Sequence, residues 1–286
     1  RRALSRIPGL ARIGARIDQE LEHFIKQRPH LTRQCCDAIG NEEATGPPKK
    51  DVADLKDKLS AVLGQSPVDM TAAPGVNTEL DANFLENWRH AANDPDTAVT
   101  QWLVKGAPAG IESMPEDKSI FPPVEGEPSH DINMSNFTDD FANYKSVYDD
   151  SDAEEEITQL GNTAYLDSHH HIEQVIDSLG DSPVVSKLAL IKKIINDKKK
   201  LRLILDCLQS GVNSATRQIE RIILPMIADL VNDTLDLFTH CVANDLVEYM
   251  VLDYTDAFYK MPLNPGERRY YAAYYNHTFY IWNRIA

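Results

Sequence analysis

The sequence predicts an α+β protein in which helices come first and β-hairpins come last. Three observations carry that prediction. Apolar residues recur at helical spacing through the first third of the chain, apolar and β-branched runs bounded by polar turns dominate from residue 184, and the composition changes between the two. Residues 184–286 hold 13 Lys+Arg and 11 Asp+Glu, and residues 1–183 hold the other 16 and 33, so the net charge of −15 belongs to the N-terminal two thirds. Of the 22 aromatic residues, 11 lie between Tyr249 and Trp282.

With 286 residues, 42% of them apolar, the chain can build one large domain or two smaller ones. No apolar run approaches the ~20 residues of a membrane span, so a soluble protein without a membrane partner is expected. The N-terminal RRALSRIPGLARIGARI is basic and amphipathic but has no continuous apolar core, which makes it a poor secretory signal. The first residue is Arg rather than Met, and residues upstream are expected. Cys35, Cys36, Cys207 and Cys241 have neither metal-ligand nor disulfide spacing. Reduced thiols and an intracellular setting follow, with cytoplasm and nucleus both open.

Ile13, Ile17, Leu21, Phe24 and Ile25 share one helical face, and a helix is expected over Ile13–Ile25. GNEEATGPPKK has the chemistry of a linker. A second helix is expected over Val52–Leu63, with Asp51 as its cap. Two shorter helices follow, Glu79–Ala92, with Leu80, Phe84, Leu85 and Trp88 facing inward, and Thr97–Val104. Residues 105–130 hold five prolines and three glycines and read as an extended segment. DDSDAEEE, within 139–157, reads as a solvated acidic connector. His169, His170 and His171, taken as helical, point in directions about 100° apart and do not converge on one ion.

From residue 184 the texture changes. SPVVSKLALIKKI and LRLILD are apolar runs around the polar INDKKK, a β-hairpin with a basic tip. Lys192, Lys193, Lys198, Lys199, Lys200 and Arg202 suit two uses, a clamp for a triphosphate or a solvated edge protected from aggregation. Pro225 opens a helix whose Met226, Ile227, Leu230, Val231, Leu235 and Phe238 form an apolar stripe, expected to face a sheet. Val247–Leu252 reads as a strand delivering Asp253 at its end, where a fixed carboxylate can bind a divalent cation. A last hairpin is expected around Asn276-His277.

LDYTDAFYKMPLNPGERRYYAAYY resembles the first catalytic motif of retroelement reverse transcriptases: an apolar strand, Asp, two variable residues, Asp-Ala-Phe/Tyr, then Pro-Leu. KKKLRLILDCLQSGVN resembles the fingers motif of the same family, and ERIILPMIADLV the Leu-Pro and helix that join the two. The three occur in the family's order and cover roughly residues 184–286. The resemblance implies an incomplete fingers/palm polymerase fold, β-hairpins plus packing helices, preceded by a mostly helical and partly disordered acidic N-terminal region. Three segments are expected: 1–130, helical and loop-rich; 131–183, an acidic connector; 184–286, fingers and the beginning of the palm.

The same resemblance implies roles. Asp253 becomes the catalytic metal carboxylate, and Tyr254 offers its backbone carbonyl to a second ion. Phe258 packs under the sugar and excludes a 2′-hydroxyl. Arg202 contacts the triphosphate together with Lys193, or with Lys192. Asp206, Asn213 and Asp256 give structural support. The complete enzyme would use Mg²⁺ or Mn²⁺, deoxynucleoside triphosphates and an RNA or DNA template-primer, beside other polyprotein segments. The sequence departs from the family in one respect that matters: the aromatic-x-Asp-Asp motif is absent, and no Asp-Asp follows Asp253. RNA-directed DNA synthesis is therefore expected of the family but not of this polypeptide alone. The alternative is a non-catalytic binding or scaffold protein that keeps a polymerase-like element.

Overall fold

A computed structural model describes residues 8–40, 46–113, 122–124, 134, 137–138, 141–149, 151–195, 197–221, 223, 226–239 and 257–285. It is an α+β structure and divides into two compact units. The first comprises the described residues up to Met70, Asp81–Thr100 and the described residues within Leu237–His240; the second comprises Thr71–Leu80, the described residues within Gln101–Asp236, and 257–285. Among the described residues, no helix is long and apolar enough to cross a membrane.

The first unit is helical. Helix α1 (Pro8–Gln27) is followed at once by α2 (Pro29–Gly40), then by α3 (Lys49–Leu63) and α4 (Ala82–Ala92). Pro29 separates α1 from α2 because its missing N–H is tolerated only in a first turn. Ile13, Ile17, Leu59 and Leu63 form the buried centre, with Phe84 and Trp88 packed against it. Asp51 does not cap α3 as expected. Pro48 occupies the cap position, and Asp51 in the first turn accepts from Arg28 Nε at 3.1 Å. In α4 the cap is Asp81, whose side chain accepts from the Phe84 N–H at 2.9 Å. Leu80 precedes that cap and is exposed rather than inward-facing.

Helix α5 (Ala98–Lys105) leads into the second unit. There α6 (Asp152–Asn162), β1 (Leu166–His169) and α7 (Ile172–Leu179) precede the long hairpin β2 (Lys187–Ile195) and β3 (Lys198–Asp206). Next come α8 (Val212–Ala215), α9 (Ile227–Phe238), β4 (Ala272–Tyr275) and β5 (Thr278–Trp282). One sheet has the order β1-β5-β4, and β2-β3 is separate. The β4-β5 turn falls on Asn276 and His277, as expected, with φ of 47° and 57° at the two positions. Positive φ at both central residues gives the twist that matches the flanking strands. The core holds Trp282, Leu188, Leu190, Leu203 and Tyr275 together with Ala153, Ile157 and Leu160 of α6.

These contacts correct the expected segmentation. Within 131–183, residues 152–169 are not a solvated connector: β1 pairs with β5 along Leu166↔Trp282 to His169↔Phe279, and α6 lies in the core. The acidic residues Asp152, Glu154 and Glu155 fill the first turn of α6, where the helix dipole favours them, while Ala153, Ile157 and Leu160 keep a helical apolar spacing behind them. The three histidines are not one helical run either. His169 ends β1, His170 Nδ1 lies 3.2 Å from Thr278 Oγ1, and His171 is the N-cap of α7.

Upstream residues are also woven into this unit. Glu267, almost fully buried, accepts from the N–H groups of Ala109, Ile111, Glu112 and Ser113 at 2.7–3.1 Å. Gly110, with φ +79°, permits that path, because a Cβ there would stand 2.6 Å from the Arg217 carbonyl oxygen. Residues 71–80 are tied by Arg268 to the Gly75 carbonyl at 2.6 Å, by Arg284 to the Asn77 carbonyl, and by Lys260 to Glu79. A further difference concerns α9. Met226, Ile227, Leu230, Val231, Leu235 and Phe238 are all exposed, so the expected stripe exists but, among the described residues, no sheet covers it. The spacing specifies a helix; what covers its apolar side is not a local property.

Candidate functional site

Side chains alternate faces along a strand, and directly paired residues share a face. In the β2-β3 hairpin, Leu188↔Leu205, Leu190↔Leu203 and Lys192↔Leu201 occupy one side, and Leu188, Leu190 and Leu203 are buried there. Ala189↔Ile204, Ile191↔Arg202 and Lys193↔Lys200 occupy the other, which presents Ile191, Lys193, Lys200 and Arg202 to solvent. Ile195 pairs directly with Lys198, and Asp197 takes the φ of +60° of a tight hairpin turn.

The cations therefore sort by strand parity. On the packed side, Asp152 at the start of α6 bonds Lys199 and stands 3.0 Å from Lys192 Nζ. The hydrogen bond from Lys199, then that from Lys192, holds the Asp152 carboxyl below the usual carboxylate range. On the open side, Lys193 faces Lys200 across the strands with Arg202 one pair further in, and none of the three has an ion pair among the described residues. Like charges directly opposite one another weaken a sheet, and a bound anion would relieve that cost.

The inner end of the open side leads to a recess of about 500 Å³ lined by Tyr144, Ala189, Ile204, Asp206, Asn213 and Tyr271, among others. Asp206 ends β3 and is half-buried. It accepts from Tyr144 Oη at 2.5 Å and from the Leu208 N–H at 3.0 Å. The Tyr144 bond is the main reason its carboxyl sits below its ordinary range, and the same bond raises the phenol. Burial pushes the Tyr271 phenol up to about 12 and raises the Cys207 thiol. Asn213 lies exposed in α8, its backbone N–H bonded to the Cys207 carbonyl at 3.1 Å.

The structure thus brings Arg202, Lys193 and Asp206 to one side of the hairpin. It separates Lys192 from them, and of the two lysines considered only Lys193 shares the Arg202 face. Phe258 stands in the 3₁₀ turn Phe258–Lys260 and is 74% exposed, while the adjacent Tyr259 packs against the core that holds Leu190 and Leu203. Asp253, Tyr254, Asp256 and the strand expected over Val247–Leu252 lie outside the described residues. Among the described residues no His, Cys, Asp or Glu cluster could hold a metal ion, so the Mg²⁺ or Mn²⁺ expectation rests on Asp253 and Tyr254 alone. Sequence reasoning did not pair Lys200 with Arg202, and it missed Asp152 as the partner of Lys192 and Lys199 and Tyr144 as the partner of Asp206. Lys200 was readable from alternation once the register was known; Asp152 was hidden in an acidic string.

Comparison with protein-family models, with curated proteins and with solved structures finds no match to this chain.

Proposed function

We propose that this chain is a piece of a retroelement reverse transcriptase, fingers and the beginning of the palm, whose basic hairpin receives the phosphates of a deoxynucleoside triphosphate. One observation carries the proposal: Lys193, Lys200 and Arg202 stand together on the open side of β2-β3, with the cross-strand ammonium pair uncompensated among the described residues. Arg202 supplies a planar fork for two phosphate oxygens, and the lysines supply point charges beside it. The exposed Phe258 ring offers a rigid apolar surface for a sugar. By the resemblance, Asp253 would hold one divalent ion and the Tyr254 carbonyl would contact a second, and such ions would polarise the attacking 3′-oxygen. By this reading the chain binds nucleotide, and no aromatic-x-Asp-Asp follows Asp253 in the sequence.

Equilibrium binding of a deoxynucleoside triphosphate tests this. Arg202→Ala is expected to weaken binding by about tenfold or more, the scale of one lost charge-assisted pair. Equal affinity in the variant, or no saturable binding by the unaltered chain, would contradict the reading. A non-catalytic scaffold is the second reading, and the exposed apolar stripe of α9 favours it.

A further inference from the structure

We propose that Asp152 is a positioning residue for the phosphate-binding side of the hairpin, holding Lys192 and Lys199 behind so that Lys193, Lys200 and Arg202 point outward. The inference rests on the reading that this side receives phosphates. The inner half of the hairpin is held by apolar packing, through buried Leu188, Leu190 and Leu203. The outer half has much less of it: only Leu201 is partly buried against that core, while Ile191 is 44% and Ile194 78% exposed. A two-stranded ribbon without a packed face twists freely and is marginally stable. What grips the outer half is a carboxylate 5% exposed at the first turn of α6. It engages one lysine from each strand, Lys192 on β2 and Lys199 on β3. Those two residues differ in parity from Lys193, Lys200 and Arg202, so gripping them fixes the rotation of the ribbon and with it the direction of the other three.

Inorganic tripolyphosphate, titrated calorimetrically into the whole chain without metal at low salt, is the probe. Asp152→Asn is expected to weaken binding by about fivefold, a coupling of ordinary size for groups in one network, and Asp152→Glu to stay within about twofold of the unaltered chain. Lys192→Met with Lys199→Met leaves the open side untouched and is expected to lose as much as Asp152→Asn. Combining all three substitutions is expected to add nothing further, which a merely additive loss of stability would not reproduce. Should Asp152→Asn fail to fold, the paired Met variant decides, since the Lys199 side chain is half exposed. Asp152→Asn and the Met variant both binding like the unaltered chain, while Arg202→Ala binds weakly, would overturn the positioning role and leave the phosphate reading standing. Absence of tripolyphosphate binding, or an Arg202→Ala variant unchanged, would overturn both.

Discussion

At the scale of single residues, the two sides of the hairpin differ in whether their charges are paired. Asp206 shows how a neighbour tunes a carboxyl in place. Tyr144 donates to it at 2.5 Å and lowers its pKa from the ordinary 3.8. A carboxyl whose pKa is depressed by folding adds stability that is present above the unfolded value and disappears as pH falls through the folded one. Tyr144→Phe removes the largest cause of the shift. The Asp206 carboxyl, followed by NMR titration, is expected to move up toward 3.8, and the acid limb of the stability curve to become shallower. An unchanged Asp206 titration would contradict the assignment of cause.

At the scale of elements, what was legible in the sequence and what was not follow from how each signal is encoded. The β2-β3 and β4-β5 hairpins were legible because turn residues sit between apolar runs, and α1, α3, α4 and α5 because their apolar residues repeat at helical spacing. Helix α6 was not, because DDSDAEEE suggests solvent while Ala153, Ile157 and Leu160 carry the helical signal unobtrusively. Burial depends on β3, which is distant in sequence. Ile157 is nearly fully buried. Ile157→Ala is expected to cost about 2–4 kcal/mol in urea unfolding, the range for truncating a core aliphatic side chain. A change below about 0.5 kcal/mol, ordinary for a surface site, would return the segment to the role of connector. Of the site, Arg202 and Lys193 were legible through a motif, whereas choosing Lys193 over Lys192 required the strand register, which a sequence with a polar turn of uncertain length does not fix.

At the scale of the whole molecule, the second unit draws on parts of the chain that composition assigned elsewhere. Glu267 binds four N–H groups of residues 109–113, Arg268, Arg284 and Lys260 hold residues 71–80, and β1 completes the sheet of β4 and β5. The change of charge at residue 184 marks where the acidic excess ends, not where a folding unit begins. The hairpin stands on this wider base, and its two sides are differentiated by it: one side gripped through Asp152, the other left open. The central claim is that the open side is where a nucleotide's phosphates bind. Amide NMR of the isotope-labelled chain titrated with a deoxynucleoside triphosphate tests that most directly. Saturable shifts concentrated at Lys193, Lys200 and Arg202 and abolished by Arg202→Ala are expected; shifts confined to other surfaces, or surviving that substitution, would rule phosphate binding at the open side out.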